Sequence, residues 1–144
     1  MGQARDVLNR LNAEVNTARS VTVLRDLYAP DAVLTSPDWG EVRGPDGALA
    51  YLASWTDAFP DVNDEPVGQY EMGNVAINQY ITRGTHTHTL TGKSGQAVPP
   101  TGRAFVLRTC DIIVVEDGRI VQHHIYFDVA DKFAQLGLMP EPPI

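Results

Sequence analysis

The sequence has few of the residues that build disulfides, metal sites and nucleic-acid contacts. It holds a single cysteine, Cys110, which excludes an intrachain disulfide and fits a reducing compartment. It contains no CxxC, no HExxH and no other spaced Cys/His set, so we expect no structural zinc site and no metal cofactor. Its 11 basic residues are scattered among 18 acidic ones, and the net charge is −7. Binding of a polyanion needs clustered Lys and Arg, so we do not expect a nucleic-acid partner.

Long apolar runs are missing as well. No stretch approaches the roughly 20 apolar residues of a membrane-spanning helix, and the polar residues 1–6 do not resemble a signal peptide. We therefore expect a cytoplasmic protein with no membrane contact. The length of 144 residues and the hydrophobic content of 43% fit one domain over residues 1–144.

The first half of the chain has the periodicity of amphipathic helices. Apolar residues at helical spacing predict helices over residues 3–18, 21–28 and 45–59. Pro45 suits the first turn of the third helix. A short strand is expected over residues 33–35, between the second helix and the third.

The second half changes to a period of two. Long strands are predicted over residues 74–89, 104–116 and 119–128. Asp117-Gly118 predicts a tight hairpin between the last two strands, residues 91–103 a loop, and residues 130–136 a closing helix capped by Gly137. This order predicts an α+β fold. A curved antiparallel sheet with the N-terminal helices packed on its concave face would form a cone-shaped pocket.

The hairpin turn also predicts which side chains share a face of the sheet. Counting outward from the turn places Asp111 opposite His124. The mixed polar and apolar face suits a ligand cavity and carries Leu107, Thr109, Asp111, Ile113, Gln122, His124, Tyr126 and Asp128. The other face would be exposed on a monomer, so we expect a homodimer contact there. That face carries Arg108, Cys110, Ile112, Val114, Val121, His123, Ile125 and Phe127.

Asp128 is the main candidate for a catalytic group. A carboxylate that points into an apolar cup has a raised pKa and can serve as a general acid or base. Asp128 also lies directly before a predicted helix, where it could cap the helix N-terminus. Asp111 and His124 could likewise form either a cavity pair or an ion pair at the rim, and the residues alone leave both choices open.

Other polar and aromatic side chains are secondary candidates. His86 and His88 share one face of their predicted strand with Tyr80, and we expect them to be ordinary pocket or sheet-end histidines because no third metal ligand is evident. Four aromatic residues could line the mouth of the pocket or belong to the core. They are Trp39, Tyr51, Trp55 and Phe59.

Several short segments, in their order and spacing, resemble the SnoaL-like polyketide cyclases of the nuclear-transport-factor-2-like superfamily. They are YAPDAV (28–33), FPD (59–61), GTH (84–86), PPTGR (99–103), EDGRIV (116–121), YFD (126–128) and QLGL (135–138). The resemblance implies a cone-shaped α+β fold, commonly dimeric. It implies ring closure by an intramolecular aldol reaction without metal or organic cofactor. It also assigns the acid/base aspartate to Asp128, whereas His124 stands where the family often has a bulky residue such as Trp.

We therefore expect an enzyme of polyketide-cyclase type that acts on a small hydrophobic carbonyl compound, as in antibiotic biosynthesis. Asp128 would remove a proton α to a carbonyl, and the enolate would attack a second carbonyl. The expected enolate donors are His124, His86 and Tyr126, and the expected binding residues are Asp111, Trp39, Trp55, Phe59, Tyr51 and His88. The alternatives are an isomerase, dehydratase, hydroxylase or epoxide hydrolase of the same fold, or a non-catalytic small-molecule binder. Arg108 falls on the wrong face for an epoxide hydrolase.

Overall fold

The computed structural model describes residues 2–139. The helices are α1 (Gln3–Asn16), α2 (Val21–Asp26), α3 (Gly44–Thr56) and α4 (Val129–Gln135). The strands are β1 (Tyr28–Ser36), β2 (Gly40–Arg43), β3 (Asn63–Met72), β4 (Val75–Thr85), β5 (Leu90–Thr91), β6 (Ala97–Val98), β7 (Ala104–Glu116) and β8 (Arg119–Tyr126). None of the helices described here is long and apolar enough to cross a membrane.

Six of the strands form one curved, unclosed sheet in the order β2-β1-β8-β7-β4-β3. Neighbouring strands are antiparallel except β1 and β8, which run parallel. Strands β5 and β6 form a separate small hairpin that occupies much of the predicted loop over residues 91–103. The α+β fold class predicted from the sequence is confirmed, and the parallel β1–β8 pair is an addition to it.

The helices bury their apolar stripes against the sheet. Leu8 and Leu11 of α1 are almost fully buried in the main core with Ile113 of β7 and Ile120 of β8. Ser20 caps α2 by accepting a hydrogen bond from the backbone of Val23. The concave face is thus roofed by helices, and a second core cluster around Phe59, Phe105 and Leu136 closes one end.

Besides the small β5–β6 hairpin, the sequence missed β2 and β3, which lie at the two edges of the main sheet. Strand β3 contains Pro66 and Gly68 and many polar residues, so it lacks the apolar alternation that marks a strand. A β-bulge between these two residues breaks its pairing with β4. Edge strands bury little, which explains why the composition of β3 does not identify it.

A second β-bulge changes the faces of the last hairpin. Val115 pairs with Ile120, but Val114 pairs with Gln122, so Val121 has no opposite residue. From that point every side chain of β8 lies on the face opposite to the predicted one. The predicted pairing of Asp111 with His124 is therefore wrong. His124 pairs with Ile112, and Asp111 pairs with Ile125.

The bulge also changes which residues lie on the outer face, where we predict a homodimer contact. In β8 this face carries Gln122, His124 and Tyr126, whereas His123, Ile125 and Phe127 turn inward, contrary to the sequence-based assignment. Strand β7 contributes Ile112 and Val114 as predicted. The large exposed apolar side chains on this face are Tyr70, Met72, Val106 and Tyr126. A homodimer through this surface stays a prediction.

Candidate active site

A cavity of about 60 Å³ lies between α1, α3 and the concave face of the sheet. Its walls are partly apolar, with Leu11, Val15, Leu52, Trp55, Val62, Ile125 and Phe127. Its polar lining consists of Asn12, Tyr51, Thr56, Asp64, Tyr80, Thr82, Thr109, Asp111 and His123. The volume exceeds the roughly 10–15 Å³ that one water molecule needs. A few polar groups in an apolar wall are typical of a small-molecule site.

A wider groove lies outside this cavity. It measures about 430 Å³ and is bordered by α2 and α3 and the end of α1. Val15, Leu52 and Thr56 line both hollows, so these side chains form the boundary between them. The inner cavity and the outer groove are therefore neighbours, with these three side chains between them.

Asp111 sits in the cavity wall at the end of a buried chain of polar groups. Tyr28 Oη lies 2.9 Å from His123 Nδ1, and His123 Nε2 lies 3.5 Å from Asp111 Oδ2. Burial, and then the charge of Asp111, raises the pKa of Tyr28, so the phenol keeps its hydrogen. The carboxylate of Asp111 faces Nε2 and favours the tautomer of His123 that carries its hydrogen there; in that tautomer Nδ1 accepts from Tyr28.

Asp64 is the second carboxylate of the cavity. Its Oδ1 accepts a hydrogen bond of 2.7 Å from Thr82 Oγ1, which in turn lies 2.7 Å from Thr109 Oγ1. Asn16 of α1 holds its backbone on both sides, with bonds of 2.9 Å to Asp64 N and Asp64 O. Burial, and then the charge of Asp111, raises the pKa of Asp64 to about 6. The two carboxylates thus differ in their surroundings, which is how acid and base roles are separated.

A third buried chain reaches the cavity from α1. Arg5 Nη1 donates to Asn78 Oδ1 at 2.6 Å, and Asn78 Nδ2 donates to Tyr80 Oη at 2.9 Å. Arg5 Nη2 also bonds the backbone oxygens of Tyr70 and Ile77. These contacts tie α1 to β3 and β4 and fix the position of the Tyr80 ring.

Tyr51 and Trp55 connect the cavity to a buried lysine behind it. Tyr51 Oη donates to Asp38 Oδ1 at 2.9 Å. The Lys132 ammonium lies 3.8 Å from Asp38 Oδ2 and 3.7 Å from the centre of the Trp55 ring. Burial lowers the pKa of Lys132 to about 8, and Asp38 opposes that shift. A buried amine held by a carboxylate and an aromatic ring is a packing feature that positions Trp55.

Asp128 does not face the cavity. It is exposed to solvent and caps α4, with its Oδ1 accepting a 2.9 Å hydrogen bond from the backbone of Asp131. The first turn of a helix has free N–H groups, and a carboxylate at this position satisfies one of them. The expectation that Asp128 points into an apolar cup is wrong, and the alternative that it caps a helix is correct.

Three histidines predicted near the site lie elsewhere. His124 is on the outer face of the sheet, where its Nδ1 is 2.7 Å from Thr35 Oγ1 and its Nε2 is 3.1 Å from Gln122 Oε1. His88 is exposed and bonds Thr87. His86 is fully buried but lies in the second core cluster against Phe59, outside the cavity lining. The prediction that His86 and His88 share a face is wrong because the strand ends at Thr85, before both of them.

The aromatic candidates divide between cavity and core. Tyr51 and Trp55 line the cavity as predicted. Phe59 is fully buried in the second core cluster, and Trp39 packs edge-on against Tyr51, away from the cavity. Tyr126 is exposed on the outer face. Asp111 lines the cavity as predicted, although with a different partner.

Sequence reasoning missed two functional candidates of the cavity. The polar composition of β3 hides the strand that carries Asp64, and a count of residues from the turn places His123 on the outer face because it does not include the bulge. One signal pointed to the correct face of β8. Ile125 and Phe127 follow His123 at a period of two, and such apolar alternation commonly faces the core. Within residues 2–139, no three His, Cys, Asp or Glu side chains are grouped to hold a metal ion.

Comparison with known proteins supports this description of the fold. The chain is 29% identical over 138 residues to the aklanonic acid methyl ester cyclase DauD of Streptomyces sp. strain C5, covering 92% of this chain and 80% of the relative. It is 30% identical to the crystal structure of IdmH, a proposed polyketide cyclase from Streptomyces antibioticus. That match has a TM-score of 0.75 and covers 94% of this chain and 99% of the other.

A proposed SnoaL-like polyketide cyclase from Jannaschia sp. CCS1 has the same fold, with a TM-score of 0.83 at 19% identity. The match covers 96% of this chain and 94% of the other. The sequence model of the SnoaL-like domain matches residues 8–123, which include the cavity lining from Leu11 to His123. The chain therefore belongs to the SnoaL-like domain family.

Proposed function

We propose that this protein is a cofactor-independent acid/base enzyme of polyketide-cyclase type, and that Asp111 is its general base. The observation that carries the proposal is the position of Asp111, a carboxylate in the wall of a partly apolar cavity, 3.5 Å from a buried histidine. Asp111 takes the place that the sequence had suggested for Asp128. The reaction class follows the names of the relatives, and the residue assignment follows the geometry.

The surroundings of Asp111 suit a base. Its side chain is 17% exposed, and the cavity wall beside it includes Ile125 and Phe127. A carboxylate in such a wall is within reach of a substrate in the cavity and is shielded from most of the bulk water. His123 faces one oxygen and leaves the other for a ligand. The 3.5 Å contact is long for a hydrogen bond, and such bonds commonly tighten when a substrate binds.

The proposed reaction begins when Asp111 removes a proton α to a substrate carbonyl. The electron pair of the broken C–H bond forms an enolate, which attacks a second carbonyl of the same substrate and closes a ring. The new alkoxide then takes this proton back from Asp111, which restores the base; if Asp64 gives the proton instead, Asp111 releases its own proton to water and Asp64 takes one from water. Because the pKa of Asp64 is about 6, its carboxyl group can give and take a proton close to neutral pH.

The shapes of the inner cavity and the outer groove suggest how a polyketide-like substrate would bind. The inner cavity of about 60 Å³ holds only the reacting part of such a molecule. The outer groove of about 430 Å³ lies across the boundary formed by Leu52 and Thr56 and offers room for the rest. DauD, by its name, cyclises aklanonic acid methyl ester, and this compound is the natural trial substrate.

A double-bond isomerase is the second candidate. It needs the same base and only one reacting unit, and the small inner cavity favours such a substrate. An epoxide hydrolase built on two carboxylates with an arginine between them is not favoured, because no arginine in residues 2–139 lines the cavity and Arg108 is exposed. A non-catalytic binder would keep the apolar walls but would not need an ionised Asp111.

The test is cyclisation of aklanonic acid methyl ester by the wild type and by Asp111→Asn. Loss of a general base lowers turnover by roughly 10²–10⁴-fold, and we expect this loss with little change in affinity. Asp128→Asn is the matched control and should turn over like the wild type. Binding can be followed through the fluorescence of Trp55, which lines the cavity. Unchanged turnover in Asp111→Asn would contradict the assignment.

A companion measurement uses 2-tetralone, a small bicyclic ketone with acidic α-hydrogens. The enzyme should speed the exchange of these hydrogens in deuterated water, as followed by NMR. An isomerase and a cyclase would both catalyse this exchange, whereas a binder would take up the ketone without exchange. The result therefore separates enzyme from binder without knowledge of the natural substrate.

A further inference from the structure

The hydroxyl of Tyr80 lies at the end of the buried hydrogen-bond chain that runs from Arg5 through Asn78. It has no part in the proton transfer proposed for Asp111. The three side chains are 4%, 0% and 2% exposed for Arg5, Asn78 and Tyr80. Tyr80 lines the cavity together with Asp111, and Asn78 lies behind it. One amide and one guanidinium are thus buried behind a single phenol.

The direction of the hydrogen bonds along this chain is fixed by Arg5. A guanidinium can only donate, so the atom of Asn78 that it contacts at 2.6 Å must be the carbonyl oxygen. The amide nitrogen of Asn78 therefore faces Tyr80 and donates to its oxygen at 2.9 Å. Tyr80 Oη accepts this bond, and its own hydrogen remains to be donated elsewhere.

The other buried tyrosines near the cavity differ in this respect. Tyr28 Oη is paired with His123 Nδ1 at 2.9 Å, and Tyr51 gives its hydrogen to Asp38. Within the described part of the chain, no hydrogen bond takes up the hydrogen of Tyr80. Burial, and then the charge of Asp111, raises the pKa of Tyr80, so the group is a phenol and not a phenolate. A buried donor without an acceptor costs free energy unless a ligand supplies one.

We propose that Tyr80 donates this hydrogen bond to the carbonyl oxygen of the substrate and holds the negative charge of the enolate, with Asn78 and Arg5 as positioning residues. This inference rests on the proposed carbonyl chemistry and adds the group that receives the charge. Each bond in the chain points toward the ligand and begins at a positive charge, which polarises the phenol and strengthens its donation. The site then favours ligands with a ketone or aldehyde oxygen at this end of the cavity.

Arg5 also joins α1 to β3 and β4 through Tyr70 and Ile77, so a purely structural role must be separated from positioning. Asn78→Asp separates them. A carboxylate at this position keeps the contact with Arg5 but has no hydrogen to give, so its free oxygen would accept the hydrogen of Tyr80. The hydrogen bond between Tyr80 and the side chain at position 78 then runs in the opposite direction. Tyr80 can therefore no longer donate a hydrogen bond to the ligand.

The experiment is infrared spectroscopy of bound 2-tetralone labelled with carbon-13 at the carbonyl. In the wild type we expect the C=O stretch to lie at lower frequency than in an apolar solvent, because Tyr80 donates to the oxygen. Tyr80→Phe and Asn78→Asp should both remove this shift, and Tyr80→Phe should weaken binding by roughly threefold to tenfold. Thermal unfolding should show that both variants remain folded, and Asp111→Asn should retain the shift.

The outcomes distinguish this inference from the proposed function. A C=O stretch that is the same in the wild type, Tyr80→Phe and Asn78→Asp would overturn the donor role, even if Asp111-dependent proton exchange continues. The C=O stretch could change in Tyr80→Phe while α-hydrogen exchange is unchanged in Asp111→Asn. This result would support Tyr80 as the donor and overturn Asp111 as the base. A shift that Tyr80→Phe removes and Asn78→Asp retains would overturn the positioning role of Asn78.

Discussion

The two faces of the β7–β8 hairpin show how one extra residue divides neighbouring side chains between two environments. His123 and His124 are adjacent in the chain. His123 is 1% exposed, bonds Tyr28 and faces Asp111 in the cavity, whereas His124 lies on the outer face and bonds Thr35 and Gln122. The bulge at Val121 alone decides which histidine enters the cavity.

The same comparison holds for the two aspartates of this region. Asp111 lies in the middle of β7, where its neighbours are the side chains of the cavity. Asp128 follows β8, where the free N–H groups of α4 offer an immediate partner. A carboxylate between a strand and a helix can therefore cap the helix, whereas a carboxylate in the middle of a strand has no free helix N–H groups beside it. The difference teaches that position along an element bears on function as strongly as residue type.

The largest effect is expected from a charge placed on each face of the hairpin. Ile125 is 8% exposed on the inner face, so Ile125→Asp should lower the free energy of unfolding by more than about 3 kcal/mol. Ile112→Asp changes the outer face, so the chain should stay folded and become monomeric. Denaturant unfolding and light scattering measure the two results. A folded, dimeric Ile112→Asp variant would contradict a dimer through this face.

A smaller effect is expected from removing each histidine. His123→Leu leaves Tyr28 without its acceptor and Asp111 without its contact, which should lower stability by about 1–3 kcal/mol and reduce turnover as well. His124→Leu should change stability by no more than about 0.5 kcal/mol and leave turnover intact. Chemical unfolding and kinetics of the two variants test the pair. Equal losses in both would mean that the bulge does not separate their roles.

The pH dependence of stability should reflect Asp64. Its pKa is about 6 in the folded chain and 3.8 ordinarily, so between these values the folded chain binds more protons than the unfolded chain. The free energy of unfolding therefore has a contribution from Asp64 that is present at low pH and is lost as the pH rises through about 6. Asp64→Asn removes this contribution. Urea unfolding at a series of pH values should show the wild type losing stability relative to Asp64→Asn as the pH rises from 3.8 to about 6, and a constant difference would count against it.

The smallest effect concerns Asp128. Asp128→Ala should cost about 1 kcal/mol because the cap is lost. Asp128→Asn should cost only a few tenths of a kcal/mol, since Asn caps a helix about as well as Asp. Thermal unfolding of the two variants measures this ranking. A larger loss in Asp128→Asn than in Asp128→Ala would rule out a cap as its main role.

Much of the fold follows from local signals in the sequence. Strand β7 was predicted with its observed bounds, and Asp117-Gly118 marks the hairpin turn, because alternation and turn residues are local properties. Strand β3 was not found, because Pro66, Gly68 and its polar residues hide an edge strand that its neighbour β4 defines. Bulges arise from the curvature of the whole sheet, so a count of residues from the turn cannot locate them.

The cavity was predicted only in part for the same reason. Asp111, Tyr51 and Trp55 were placed in it correctly, since β7 and α3 have regular periodicity. His123 lies beyond the bulge in β8, and Asp64 lies on β3, the strand that the sequence does not reveal. The sequence suggests that Asp128 faces the cavity, whereas in the structure it caps α4. Each error concerns a residue whose neighbours come from distant parts of the sequence.

The most direct test of the account is the rate of α-hydrogen exchange in saturating 2-tetralone, measured side by side for the wild type, Asp111→Asn and Asp128→Asn. We predict that Asp111→Asn loses nearly all of the enzyme-dependent exchange while Asp128→Asn keeps the rate of the wild type. Exchange that persists in Asp111→Asn and disappears in Asp128→Asn would contradict the account and restore the base to the end of β8.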